Sequence, residues 1–240
     1  MASICGKSNQ ERFYPFFKFL HTIKDALDWD YILKNYEVEE VILEEFINQI
    51  DISTACQYCK LSEEFINKYA DTVDWDKISA FQSLSEDFIN RNIKKLNLQK
   101  IANDNNTLSE TFIYNHADEL NWDQVVSCQK LSSSILYDFR DKIDWKSAFC
   151  LQQMAPSFIT TIRDAGVLMN WDAIAIHQRL NEQFIKDNLN KLNIELVLKF
   201  QTLSESFKAE LQSMLDQQKE ENAETEESEK DSSSEEDGEN

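Results

Sequence analysis

The sequence predicts an all-α fold: an α-solenoid of about eight two-helix repeats of 23 residues, followed by a disordered acidic tail. Three observations carry that expectation. The chain holds only 3 Gly and 2 Pro in 240 residues, too few for the tight turns of all-β or nucleotide-binding α/β folds. A Leu-Ser-Glu-x-Phe-Ile phrase recurs at a 23-residue step, and self-similarity at such a period is the signature of repeat architectures. Each copy then reaches an Asp or Asn that opens a second apolar stretch.

The units start at Pro15, Val38, Leu61, Leu84, Leu108, Leu131, Met154 and Leu180, with a truncated ninth at Leu203. Spacing is 23 residues apart from one extra residue before Leu108 and three before Leu180. Position 5 of the unit is Phe19, Ile42, Phe65, Phe88, Phe112, Ile135, Phe158 and Phe184, with Phe207 in the fragment. Position 6 is Leu or Ile in every unit, position 13 runs from Leu27 through Leu120 to Leu192, and position 18 from Ile32 through Val125 to Val197. Position 15 holds Trp29, Ile52, Trp75, Leu98, Trp122, Trp145, Trp171 and Ile194. Because Ile and Leu stand in for Trp, the column reads as core and not as a stacking platform for bases or sugars.

Position 14 is Asp or Asn in all eight units, from Asp28 to Asn193. These residues are preferred N-caps, since a side-chain oxygen accepts from the orphan amides of the first helical turn. A helix B of about eight residues is therefore expected after each. Helix A, about ten residues long, is expected after Ser62, Ser85, Ser109, Ser132 and Ser204, and Glu63, Glu86, Glu110 and Glu205 in the first turn suit the helix dipole. Pro156 takes the first helical position of its unit, which tolerates proline. Helices this short are marginal alone in water, so each unit needs its neighbours, as in a solenoid. Position 22 is Gln82, Gln129, Gln152, Gln178 and Gln201. These glutamines are expected to bond the carbonyls at a helix B end or the amides of the next unit.

Domain organisation follows: a lead-in over residues 1–12, the repeat array over 13–215 and an acidic tail over 216–240. The wording L-S-E-x-F-I, then D/N-W-x-x-I, then Gln at a 23-residue step resembles short helical repeats of large DNA viruses and some phages. The match is strong from Leu61 to Phe207 and weak from Pro15 to Leu61. It implies a viral or phage setting, with virion assembly or host-factor binding as the role, and no catalytic residue.

Charge narrows the function. The net charge is −20, and residues 216–240 hold twelve Asp/Glu against two Lys, leaving the array near −10. Such a body repels phosphate backbones and anionic headgroups, so nucleic-acid and membrane partners are not expected. The five cysteines, an odd number without a secretory leader, point to free thiols in an intracellular protein: cytoplasmic, or in the host cytoplasm or virion if viral. Cys56 and Cys59 form a C-x-x-C, but a structural zinc site wants four ligands and a redox motif a βαβ setting. No Ser-His-acid arrangement and no Gly-rich phosphate loop is present. His116 and His177 fall in packing phases, and paired Glu63 and Glu64 read as a solvated helix start. Neither catalysis, a cofactor, a metal nor a small-molecule substrate is expected.

What remains is a non-catalytic protein–protein interaction scaffold, contacting its partner near Asn67, Lys68, Asp71 and Lys77 and their repeat equivalents. The alternative is a helical-repeat nucleic-acid-binding protein, which a basic stripe on the folded array would favour. The insertion at 163–170 is a second contact candidate, weighed against a tolerated loop extension. From Asp216 on, the composition cannot offset chain entropy. Ser228, Ser232, Ser233 and Ser234 each precede an acidic residue by three positions, a phosphorylation context that would deepen the negative charge of a tail suited to a basic partner.

Overall fold

The computed structural model describes residue 16 and residues 18–234, with side chains through Glu220. The lead-in 1–12 lies outside the described residues. Among those described the chain is all-helical, without a strand. Helical residues 18–23 and a 3-10 turn at Lys24–Ala26 open it. Two compact units follow, residues 1–121 and 122–240. The first holds α1 (Trp29–Asn35), α2 (Glu40–Glu45), α3 (Ile52–Tyr58), α4 (Glu63–Lys68), α5 (Trp75–Phe81), α6 (Glu86–Arg91), α7 (Leu98–Ile101) and α8 (Glu110–Asn115). The second holds α9 (Trp122–Cys128), α10 (Ser133–Asp138), α11 (Trp145–Leu151), α12 (Pro156–Asp164), α13 (Trp171–His177), α14 (Glu182–Asp187), α15 (Ile194–Phe200) and α16 (Glu205–Ser234).

Within each unit the closest packing joins successive B helices: α1, α3, α5 and α7 in the first, and α9, α11, α13 and α15 in the second, where α16 covers the end. Both sets of caps form as expected. Asp74 accepts from the amides of Asp76 and Lys77, and Asn170 from that of Ala173. Ser62, Ser85 and Ser109 each accept from the amide three residues on. Helix A is shorter than expected. In α4 it stops after six residues at Tyr69, whose φ of −107° and ψ of 25° leave helical geometry. A separate turn then closes from Thr72 and Val73 to the Tyr69 carbonyl. The ring at this place stacks back on position 5, Tyr69 on Phe65 at 4.7 Å and His116 on Phe112 at 4.5 Å.

The apolar columns line the core with two corrections. Phe19, first of its column, is 58% exposed. Three of the five tryptophans sit at the rim of the core, not inside it. Trp29 and Trp122 are buried, whereas Trp75, Trp145 and Trp171 are half-buried. A buried indole needs a partner for its N–H, and the rim supplies one. Trp29, Trp75 and Trp145 donate from Nε1 to the carbonyls of Lys24, Ala70 and Arg140, at 3.2, 2.9 and 2.9 Å. That carbonyl, five residues earlier, belongs to the turn between helices A and B.

Two ladders of polar side chains tie repeat to repeat. In the first, Gln82, Gln152, Gln178 and Gln201 at position 22 each reach one repeat back. Gln82 Oε1 accepts from the Leu61 amide at 2.9 Å, and its Nε2 donates to the carbonyls of Cys56 and Cys59 at 2.7 and 2.9 Å. Gln152, Gln178 and Gln201 repeat the pattern on Leu131, Met154 and Leu180, and on the carbonyls ending the preceding helix B. Thus the glutamine satisfies both kinds of expected partner, with the carbonyls those of the previous unit.

The unit with the one-residue insertion departs instructively. Asn106 replaces glutamine, is one methylene shorter, and takes the Leu84 amide at 2.7 Å. Asn103 donates to the carbonyls of Ser79 and Ala80 at 2.9 and 3.1 Å, of which Ser79 matches the carbonyl that the glutamine takes elsewhere. Two side chains thus share the contacts to the preceding repeat.

The second ladder uses Glu at position 3. Glu63 accepts from the Ser85 amide at 2.7 Å, Glu86 from the Ser109 amide at 2.7 Å and hydroxyl at 2.8 Å, and Glu182 from the Ser204 amide at 2.8 Å. Glu40 does the same for Ser62. Glu63 is therefore an inter-repeat tie, which corrects its reading as a solvated helix start.

At the C-terminal end Phe207 and Leu211 are buried and Leu215 half-buried, and apolar packing stops there. The backbone goes further than expected, staying helical through Asp216 to Ser234. Glu, Gln, Ala and Lys dominate this stretch and are strong helix formers. Residues 216–220 are exposed, with Lys219 paired to Glu195 at 2.8 Å. Side chains from 221 on, and with them the acceptor serines 228 and 232–234, lie outside the described residues.

Candidate functional site

The three-residue insertion builds the most distinctive surface of the second unit. Helix α12 ends at Asp164, and Gly166 follows with a φ of +89°. Its amide bonds the Arg163 carbonyl at 3.0 Å and the Val167 amide bonds that of Ile162 at 3.1 Å. This paired pattern around a left-handed glycine closes a helix abruptly. A Cβ on Gly166 would meet nothing within 4 Å, so the glycine is required by backbone conformation and not by space. The chain then turns outward and leaves Leu168 90% exposed. Met169 returns to the core edge and Asn170 caps α13.

Leu168 does not stand alone. With Met169 it lines an open groove of about 610 Å³ whose other walls are Asp144, Trp145, Lys146, Asn170, Trp171 and Asp172. Trp145 is fixed by its bond to Arg140 and packs on Phe149 with ring centroids 5.6 Å apart. The Lys191 amine lies 5.3 Å over the Trp171 ring. A hydrogen bond from the Ser147 hydroxyl holds the Asp144 carboxyl below its usual range, helped by the Ser147 and Lys146 amides. The Asp172 carboxylate is exposed and makes no hydrogen bond or ion pair among the described residues. An apolar floor with aromatic walls and ionised edges suits a side chain of another polypeptide, since such mixed patches mark contact sites.

A second apolar row lies at position 21, at the C-terminal ends of B helices. Tyr58 and Phe81 are exposed in the first unit, Leu151 and Phe200 in the second. Of the residues expected to contact a partner, Asn67, Lys68 and Asp71 lie exposed together at the end of α4 and its turn. Lys68 is engaged within the stack, paired to Glu44 at 2.8 Å and lying 5.3 Å over the Tyr69 ring. Lys77 is half-buried on α5, where its charge is a minor influence lowering Asp51, after the Thr54 hydroxyl bond.

Cys56 is fully buried within α3 and Cys59 is buried just beyond its end. Burial raises the Cys56 thiol and pushes Cys59 up to about 11, away from the thiolate that reactivity requires. Their carbonyls, not their sulfurs, are engaged, both by Gln82. Cys128 and Cys150 are free and half-buried. His21 pairs with Glu45 at 2.6 Å and His116 with Glu119 at 3.1 Å. Among the described residues no group of three or more His, Cys, Asp or Glu is placed to hold a metal ion, and no helix is long and apolar enough to cross a membrane.

The acidic excess of the array is not uniform. Residues 1–121 carry 21 Asp/Glu against 12 Lys/Arg, whereas residues 122–215 carry 11 against 10. The excess belongs to the first unit, and the second is near neutral before the tail.

Sequence reasoning named the 163–170 insertion as a contact candidate without singling out Leu168, and it missed the glutamate ladder. The ladder had a visible signal. Glu at position 3 (40, 63, 86, 110, 182) is always followed one unit later by Ser at position 2 (62, 85, 109, 132, 204). Where position 3 is Phe17, Ser133 or Pro156, the residue that follows is Glu39, Ala155 or Asn181. Compared with known proteins, the chain matches no family model, no curated protein and no solved structure.

Proposed function

We propose that this chain is a non-catalytic protein–protein interaction scaffold. The observation that carries the reading is Leu168, a fully presented apolar side chain on a glycine-closed insertion beside two rim tryptophans. A large exposed side chain held on a fixed turn gains most when another surface covers it. The exposed row of Tyr58, Phe81, Leu151 and Phe200 adds further apolar area. Chemistry points the same way: the Cys56 and Cys59 thiols are shifted toward their neutral form, and acidic side chains such as Asp74 and Glu86 serve as caps and inter-repeat ties. The likeness to repeats of large DNA viruses and phages favours virion assembly or host-factor binding as the setting, inside a cell or virion.

Photo-crosslinking tests the reading. A benzophenone amino acid placed in turn at Leu168, Phe81 and Lys68 in cells that express the chain should give discrete protein adducts from at least one position. Adducts to nucleic acid in place of protein would favour the nucleic-acid reading. Absence of any adduct from all three positions would contradict a scaffold.

A further inference from the structure

In two repeats the residue just before position 13 reaches back over the tryptophan of the preceding repeat. Lys95 places its amine 5.0 Å over the Trp75 ring, and Lys191 lies 5.3 Å over Trp171. At Trp145 the corresponding residue is Leu168, pushed outward by the insertion that Gly166 closes. Trp145 is half-buried and faces the groove without the lysine that the other two receive. An indole face attracts a cation through its quadrupole, more strongly as the pair is desolvated.

The ionised groups around the groove favour the same sign of ligand. Asp144 and Asp172 line it, against Lys146 as the one cation among the lining residues. Asp144 is partly occupied as the cap of α11, whereas Asp172 has its carboxylate free. An acidic occupant, including this chain's own tail, would meet like charge here. A second copy of the chain, at net −20, is disfavoured in the same way.

We propose that the Trp145–Leu168 groove docks a basic-apolar peptide segment of a partner protein. A Lys or Arg side chain of that segment takes the place over Trp145 that the chain's own lysine fills over Trp75 and Trp171. Its charge is met by Asp172, and an adjacent apolar residue covers Leu168 and Met169. The arrangement rests on the scaffold reading and narrows it to one surface and one ligand chemistry.

The substitution Leu168→Lys tests it by supplying the missing cation from within, as Lys95 and Lys191 do in their repeats. The probe is a set of short fluorescein-labelled peptides in which Lys, Arg, Gln or Glu is flanked by leucines, read by fluorescence anisotropy on the full chain. The Lys and Arg peptides should bind saturably and roughly tenfold tighter than the Gln and Glu peptides, the scale of a desolvated cation–π contact. L168K should weaken the Lys peptide by about the same factor while the melting temperature holds. Trp145→Leu should do likewise, since Leu98 occupies that position in another repeat, and Glu64→Gln, at an exposed residue outside the groove, should leave binding unchanged. Equal affinity for the Gln peptide, no saturable binding, or indifference to L168K would overturn the proposal. So would self-association of the chain that L168K abolishes. Protein crosslinks from Phe81 or Lys68 in that event would leave the scaffold standing and this site refuted.

Discussion

Gln152 Nε2 donates to the carbonyl of Gln129 at 2.7 Å, one repeat earlier, while Gln152 Oε1 accepts from the Leu131 amide at 3.0 Å. Both residues occupy position 22, so one column binds itself from repeat to repeat, as Gln178 on Gln152 and Gln201 on Gln178 repeat. Gln152→Leu keeps the volume but orphans an amide and two carbonyls in a buried place. Each unsatisfied buried group costs about 1–3 kcal/mol, so the substitution should destabilise by roughly 3 kcal/mol or more, read by urea denaturation. A loss under about 1 kcal/mol would mean that water or a neighbour replaces the side chain.

The rim placement of the tryptophans separates two substitutions. Trp122 is buried, and Trp122→Ala should cost about 3–5 kcal/mol. Trp75 is half-buried and Leu98 fills the same position in the next repeat, so Trp75→Leu should cost about 1–2 kcal/mol, mostly the lost bond to Ala70. Equal losses would contradict the rim assignment.

The carboxylate ties imply a pH response. Glu182 lies below its ordinary value of 4.5, first because the Ser204 amide donates to it and then because the Ser204 hydroxyl does. A depressed folded value means that the carboxylate contributes stability above the unfolded value and loses it as pH falls through the folded one. Thermal melts should therefore be flat near neutrality and drop as pH falls below 4.5. Glu182→Gln should lower the neutral-pH melting temperature and make its acid dependence shallower. An unchanged acid limb in that variant would show that Glu182 is not tied in solution.

Deleting residues 217–240 removes the Lys219–Glu195 pair but no buried side chain among those described. Exposed pairs contribute about 0–1 kcal/mol, so the melting temperature should barely move. Deletion from Leu203 instead strips Phe207 and Leu211 from the end of the stack and should unfold part of the second unit. If the shorter deletion unfolds the chain, the tail belongs to the fold.

Legibility in the sequence followed the range of the forces. Asp74 and Ser62 act within a few residues, so their type and spacing disclosed the caps. Phe65, Phe88 and Ile135 declared the core because burial constrains every copy alike. Gln82 was visible as a column, but its partners in the preceding helix end were not, since nothing local fixes which carbonyl it meets. Glu63 has the composition of a solvated helix start, and only its coupling to Ser85 one unit later distinguishes the two roles. Leu168 was hidden for the opposite reason. In sequence it is one more leucine, and its exposure comes from an insertion whose path is set by Gly166 in three dimensions.

Hydrogen exchange on the amides of Leu61, Leu131, Met154 and Leu180 tests the inter-repeat ladder most directly. All four precede a helix A, outside any helical bond, and in an ordinary loop they would exchange freely. Each instead donates to a glutamine Oε1, of a buried residue in Gln82, Gln152 and Gln178 and of the half-buried Gln201. The predicted result is protection comparable to amides inside the helix B cores, since exchange then requires opening between repeats, and selective loss at Leu131 in Gln152→Leu. Exchange of these four amides at unprotected loop rates in the native chain would contradict the ladder and the account of the fold built on it.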